Sequence, residues 1–321
     1  MIKTKITEML KIEFPIIAGT MMNITTPEFV AACSNAGGLG ILASAIYRKP
    51  EPLREAIQEV KRLTKKPFAV NVNLFPMLMP VKQEKHIEVM MDEGVRIIET
   101  SGHQAPEKYV PIFKEHNATW IHKCAGVRYA QKAEKLGADI VTVVSWENGG
   151  ATGMYDIGGM VLTPATVDAL QVPVIAGGGI VDGRGLAAAL ALGAGAAIIG
   201  TRILLTQECP IHANLKQALL NASIYDTAIV MKSVKATHRV WNNEAAKLVL
   251  ELEESKVDQS EIFNAAAGAK AKQMYDEGNI AVGVIACGQG LGLARDIPPI
   301  KDLFSRIVEQ TEEIIQKLAH S

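Results

Sequence analysis

The sequence is poor in the groups that several classes of function require. Aromatic residues make up 5% of its 321 positions, too few for a surface that stacks on unpaired bases. The formal net charge is −1 and there is no basic stripe, so a nucleic-acid partner has no electrostatic support. The four cysteines, Cys33, Cys124, Cys209 and Cys287, are widely spaced. They form no CxxC pair and no metal-type cluster, which reads as reduced thiols in a cytoplasmic protein with no metal site. No apolar run reaches the ~20 residues needed to cross a bilayer, because Lys, Arg or Asp interrupts every candidate. The opening stretch MIKTKITEMLKIEFP scatters charges among apolar residues and does not read as a signal peptide. A GxGxxG turn after the first strand is also missing, so no dedicated nicotinamide domain is expected.

Apolar residues are abundant, at 48% of the chain, and they fall in short β-rich runs that alternate with helical stretches. Strands are predicted at 14–19, 39–42, 68–72, 95–100, 119–123, 140–144, 172–176 and 196–200. The first intervening helix is announced by Thr26 as N-cap and Pro27 at the first helical position. The segments KAEKLGAD and AALALGAG, before the sixth and eighth strands, repeat one order of helix, glycine stop and apolar strand. The alternation predicts an α/β fold, a (β/α)8 TIM barrel over residues 1–207. After Thr201 the pattern changes. Residues 208–300 read as a mostly helical subdomain without clear strands, and 301–321 as an amphipathic helix that closes on the barrel.

Barrels of this kind bind ligands on the loops that follow their strands. Gly177, Gly178 and Gly179 follow the seventh strand, and Gly200 and Thr201 the eighth. A glycine run lets the backbone approach a ligand and aim successive N–H groups at it, and a neighbouring helix N-terminus adds its dipole. One such run could simply make a tight turn; two in this order point to a phosphate dianion. Lys123, at the end of the fifth strand, could stabilise negative charge on the pyrimidine ring of a reduced flavin, or be a salt-bridged rim lysine. Asn73 could hydrogen-bond a flavin edge or cap its own loop. Met21 and Met22 could pack on an isoalloxazine face or belong to the core.

The stretches FPIIAGTMM, FAVNVNLFP, WIHKCAGVRYAQKAEKLGAD, PVIAGGGIVDGRGLAAALALGA, GTRILLTQECPIH and the late GQGLGL span nearly the whole chain. Together they resemble the nitronate monooxygenase (2-nitropropane dioxygenase-like) family, most of all its NADH:quinone reductase branch. The resemblance implies an FMN-dependent barrel enzyme with cofactor contacts at Thr20, Met21, Met22, Asn73, Lys123, Gly150, Gly177, Gly178, Gly179, Gly200 and Thr201. It also exposes a departure. Where the family commonly has a histidine that acts as base, this chain has Ala151. His103, after the fourth strand, is the first substitute to consider, ahead of His122, Tyr155 and Asp156. The implied reaction passes hydride from NAD(P)H through FMN to a quinone-like or other organic acceptor. An FMN-dependent enoyl-thioester reductase, a nitronate monooxygenase and a flavin-binding protein with little turnover are the alternatives. The expected partner is a small molecule, with no nucleic acid and no membrane; a homodimer is left open.

Overall fold

The computed structural model describes residues 2–320 apart from 76–80, 103–104 and 154. Eight strands form one parallel sheet: β1 (Ile16–Ala18), β2 (Gly40–Ala43), β3 (Phe68–Asn73), β4 (Ile97–Ser101), β5 (Thr119–Cys124), β6 (Ile140–Val144), β8 (Val174–Gly177) and β9 (Ala196–Ile199). Their order is β1-β9-β8-β6-β5-β4-β3-β2, and the two ends meet where Ile17 bridges Leu39 in parallel. The Ala18 N–H donates to the Leu39 carbonyl at 2.9 Å across that seam. The sheet is thus a (β/α)8 TIM barrel.

The strands are apolar on both faces because one face fills the barrel and the other is covered by helices. Ile17, Leu39, Ile41, Ala69, Ile97, Ile121, Ile140, Ile175, Ala196 and Ile198 form a single interior cluster. Ile6 and Leu10 join it from the N-terminal helix Lys5–Leu10, closing one end of the barrel. The outer helices are amphipathic. Pro50–Leu63 buries Leu53, Ala56, Ile57 and Val60, spaced three and four apart, and turns its charges to solvent. Val127–Leu136 ends at Gly137, whose φ of 98° is the left-handed stop that glycine supplies. The last helix, Ile300–Ala319, contributes Ile300, Leu303, Phe304, Ile307 and Val308 to the layer outside β1 and β9. Among the described residues no helix is long and apolar enough to cross a membrane.

Two sequence expectations need correction. Residues 208–300 do contain strands: β10 (Thr227–Val230) and β11 (His238–Trp241) pair antiparallel. β11 also pairs with β7 (Gly150–Ala151), making a separate three-stranded sheet. Each of β10 and β11 is four residues long, too short for a period of two to stand out against the surrounding helices. The sequence also predicts a short helix over 164–170; it starts earlier and runs Gly159–Ala169, with Pro164 inside it. Its N-terminus is capped from a distance, by the Glu147 carboxylate accepting the Gly159 N–H at 3.0 and 3.1 Å, which leaves no local capping signature.

Candidate active site

Successive residues of a strand face opposite sides, so the residue two beyond each interior apolar position also faces inward, one layer nearer the strand's C-terminal end. Around the barrel that layer is Gly19, Ala43, Asn71, Glu99, Lys123, Thr142, Gly177 and Gly200. The polar members sit on the adjacent strands β3, β4, β5 and β6; the small ones sit at β8, β9, β1 and β2. One wall of the mouth therefore offers hydrogen bonds, and the other offers room.

The polar wall is organised around Glu99, which is wholly buried. Its Oε2 accepts from Thr20 Oγ1 at 2.7 Å, Asn71 Nδ2 at 2.6 Å and Lys123 Nζ at 3.0 Å. Asn71 Nδ2 also reaches Ser101 Oγ at 3.1 Å. Glu99 Oε1 and Thr142 Oγ1 are buried without a partner among the described residues. Buried polar atoms nearly always have one, so these two mark a place where a ligand or water belongs.

Across the mouth, Gly178 and Gly179 have φ of 108° and 70°. A Cβ on Gly178 would collide with Ser145 Oγ, which is fixed by its bond to the Gly177 carbonyl at 3.0 Å. Only glycine fits there. The N–H groups of Gly178, Gly179 and Gly200 find no acceptor among the described residues, and a Cβ on Gly200 would meet nothing within 4 Å. Thr201 Oγ1 accepts the Gly288 N–H at 2.8 Å, which leaves its hydroxyl proton to donate. Gly290 lies against the Gly179 carbonyl, where a Cβ would sit 3.3 Å from the oxygen. The GQGLGL stretch is thus the outer wall of this cradle.

A strap crosses the mouth between the two walls. A Cβ on Gly149 would lie 2.6 Å from Cys287 C, beside the cradle wall, and one on Gly153 would lie 2.9 Å from the Ala125 carbonyl, just after β5. In between, β7 places Ala151 directly opposite His238 and Gly150 opposite Arg239. Directly opposed residues of an antiparallel pair project from the same face, so an imidazole stands beside the methyl group of Ala151. His238 Nδ1 lies 2.6 Å from the Ala236 carbonyl. That bond makes Nδ1 the protonated nitrogen of the neutral ring. Arg239 is buried, donates to the Trp146 carbonyl at 3.1 Å and stacks over the Trp146 ring at 5.3 Å. Burial pulls its pKa down, while Glu147 and Asp156 hold it up.

The structure thus draws Thr20 and Lys123 into one network and Gly177, Gly178, Gly179, Gly200 and Thr201 into one cradle, with Gly150 on the strap at φ 81°. Asn73 does cap its loop: Oδ1 accepts the Phe75 N–H at 3.1 Å, and its carbonyl accepts from Gln83 Nε2 at 2.6 Å. Its carboxamide NH2 is what remains for a ligand. Met21 packs against the outer core cluster, and Met22 is 44% exposed at the rim. His122 is corrected outright. It projects outward from β5, behind the sheet, with Nδ1 2.8 Å from Thr100 Oγ1, and burial pushes its pKa down to about 4. Tyr155 and Asp156 are exposed beyond the strap. His103 lies outside the described residues. The sequence reading does not single out Asn71, Glu99, Thr142, His238 or Arg239. Only the polar residues two apart at strand ends, Asn71 with Asn73 and Glu99 with Ser101, offer a signal for the first two.

Comparison with known proteins bears on the site as a whole. Residues 3–310 match the family model described as nitronate monooxygenase. The (3aS,4S,5R,7aS)-5-hydroxy-7a-methyl-1-oxo-octahydro-1H-indene-4-carboxyl-CoA dehydrogenase of Rhodococcus jostii is 34% identical, covering 99% of this chain and 98% of that protein. The solved structure of FabK from Thermotoga maritima superposes with a TM-score of 0.92 at 34% identity, over 100% of this chain and 99% of the other. A nitroalkane oxidase from Streptomyces ansochromogenes shares the fold, with a TM-score of 0.85 at 23% identity over 98% and 99% of the two chains.

Proposed function

Because the chain belongs to the nitronate monooxygenase family, whose members are flavin-dependent oxidoreductases, we propose that it is an FMN enzyme exchanging hydride between NAD(P)H and a thioester-bearing organic substrate. The observation that carries this reading is the divided barrel mouth. Unpaired backbone N–H groups and the open side of Gly200 form one wall, and the Lys123–Glu99 network, with two orphaned acceptors, forms the other. A flat heterocycle bearing a phosphate fits that division. Gly178, Gly179, Gly200 and Thr201 would hold the phosphate. Lys123 would set a cation against the ring edge where charge gathers on reduction, with Thr20, Asn73, Met21 and Met22 around it. FMN, when bound, supplies the hydride chemistry. His238, opposite Ala151, would move the proton that Ala151 cannot. The thioester class is supported by the Rhodococcus relative named as a CoA dehydrogenase, which aligns over almost all of both chains.

The test begins with the chromophore released from denatured protein, which is expected to be FMN. Anaerobic mixing with NADH or NADPH should bleach the flavin, and an unsaturated CoA thioester should restore its colour faster than a quinone or a nitronate. FAD, or no flavin after reconstitution, would overturn the cofactor assignment. Reoxidation by quinone alone would move the acceptor class and leave the flavin assignment standing.

A further inference from the structure

Outside the barrel mouth lies a second place where polar groups wait for a partner. Where the loops after β2 and β3 run into the helices Pro50–Leu63 and Gln83–Asp92, a cavity of about 320 Å³ is lined by Arg48, Lys49, Pro50, Lys82, Lys85 and His86. That volume falls within the range of about 300–1,000 Å³ typical of small-ligand sites. No carboxylate is in the lining among the described residues. Nearby acids are already paired: Glu84 with Lys108 at 2.6 Å, Glu51 with Arg54 at 3.5 Å, and Glu88 with Lys85 of the lining itself at 2.7 Å. Arg48, Lys49 and Lys82 make no ion pair among the described residues.

Three features point to an anion. Lys49 and Lys82 are the N-cap residues of the two helices, 14 and 10 residues long, and neither helix has a side-chain cap. The helix Gln83–Asp92 therefore begins at the cavity with the Gln83 N–H satisfied by no side chain among the described residues; the helix Pro50–Leu63, with prolines at 50 and 52, has only the Glu51 N–H to offer there, and both bring the positive end of the helix dipole. Independently, His86 is 1% exposed and both its ring nitrogens are without a partner among the described residues. An imidazole so buried normally finds an acceptor, and burial alone pulls its pKa down. An anion in the cavity would offer its oxygens to the His86 N–H, the lysines and the helix ends together.

The cavity also adjoins the active site. Gln83, next to Lys82, donates to the carbonyl of Asn73 at 2.6 Å, and Ser44, at the end of β2, donates to the carbonyl of Asn71 at 2.6 Å. We propose that this cavity binds a phosphate of an adenine nucleotide, held while the reactive end of the same molecule enters the barrel mouth. Coenzyme A, through its 3′-phosphate or pyrophosphate, and NADPH, through its 2′-phosphate, both carry this chemistry. The choice between them rests on the redox reading above. Among the described residues no Phe, Tyr or Trp lines the cavity, so recognition falls on the phosphate and not on the base.

The experiment is calorimetric titration of the full-length, FMN-loaded protein at low salt with two pairs of ligands: coenzyme A against dephospho-coenzyme A, and NADPH against NADH. One pair should show at least a tenfold preference for the phosphorylated member, lost in the Lys49→Ala/Lys82→Ala variant. Both lysines are exposed, so the fold is not at stake. His86→Gln should weaken the same preference. A preference within the first pair assigns the cavity to a thioester, and one within the second assigns it to the nicotinamide. Equal affinities in both pairs, or a preference untouched by the lysine substitutions, overturns the proposal. Flavin content and hydride bleaching are measured on the same samples. Reducible flavin without phosphate preference defeats this inference alone; phosphate preference without flavin defeats the redox reading alone.

Discussion

Lys123 and Glu99 depend on one another unequally. Lys123 keeps 18% of its side chain in solvent, whereas Glu99 has none and relies on donors to a single oxygen. Removing the cation leaves a buried carboxylate with only neutral donors, and breaking a buried pair from one side costs about 3–5 kcal/mol. Lys123→Met should therefore lower the stability of the flavin-free protein by about 3 kcal/mol in urea. Adding Glu99→Gln should restore most of it, since the charge that needed a partner is gone. In the loaded protein Lys123→Met should lower the flavin reduction potential, read by dye equilibration; unchanged stability and potential would reject the pairing as described. His122 has a stake in pH instead. Its pKa, pushed by burial from 6.5 to about 4, lies lower in the folded than in the unfolded chain. The unfolded chain thus takes up a proton between those values that the folded protein refuses. Stability should be full above pH 6.5 and fall as the pH drops toward 4, by on the order of 3 kcal/mol in all. His86 adds a change of the same sign. His122→Gln should flatten the slope between those limits in denaturation curves, and a slope left intact would place its source elsewhere.

The strap built from β7 and β11 sets His238 beside Ala151, and a residue role follows from that pairing. Hydride transfer from a nicotinamide to a flavin needs no protein proton, but protonation at a carbon acceptor gains about 10²–10⁴-fold from a positioned acid or base. His238→Gln should slow acceptor turnover by a factor in that range and leave flavin bleaching by NAD(P)H nearly unchanged. If His103→Ala produced that loss and His238→Gln did not, the proton would belong to the fourth-strand loop. This strap is also where sequence reasoning ran short. The eight barrel strands are legible because each is a β-branched or alanine-rich run buried on both faces and closed by a turn residue. Gly178 and Gly179 are legible because their positive φ needs glycine. Glu99 is not, because its meaning comes from register: Asn71 pairs with Glu99 across β3 and β4, 28 residues apart in sequence. His238 meets Ala151 only through an antiparallel pair that joins the barrel to a segment whose short strands leave no periodic trace.

The barrel as a whole has one thin seam. β1 is three residues long, and it meets β2 through one bridge, Ile17 to Leu39, with bonds from Ala18 N–H to the Leu39 carbonyl and from Leu39 N–H to the Ile16 carbonyl. Packing from outside must hold what so few hydrogen bonds do not. The last helix does this. Phe304 is fully buried, and its ring edge would meet a Cβ on Gly38, the residue that leads into β2. Further along, Thr311 Oγ1 donates to the Gly183 carbonyl at 3.2 Å and Gln310 Oε1 accepts the Gly183 N–H at 2.8 Å, tying the helix to the one before β9. A closing helix that were a separate unit could melt first and leave the barrel intact. One that clamps the seam cannot, because its loss exposes the outer faces of β1 and β9 together. Phe304→Ala should thus cost about 3–5 kcal/mol, as for other buried phenylalanines, and should do so in a single transition with an unchanged dependence on denaturant. Far-ultraviolet circular dichroism and flavin release should report the same midpoint. A first transition that removes helix content while the flavin stays bound would show instead that residues 301–321 fold and unfold on their own.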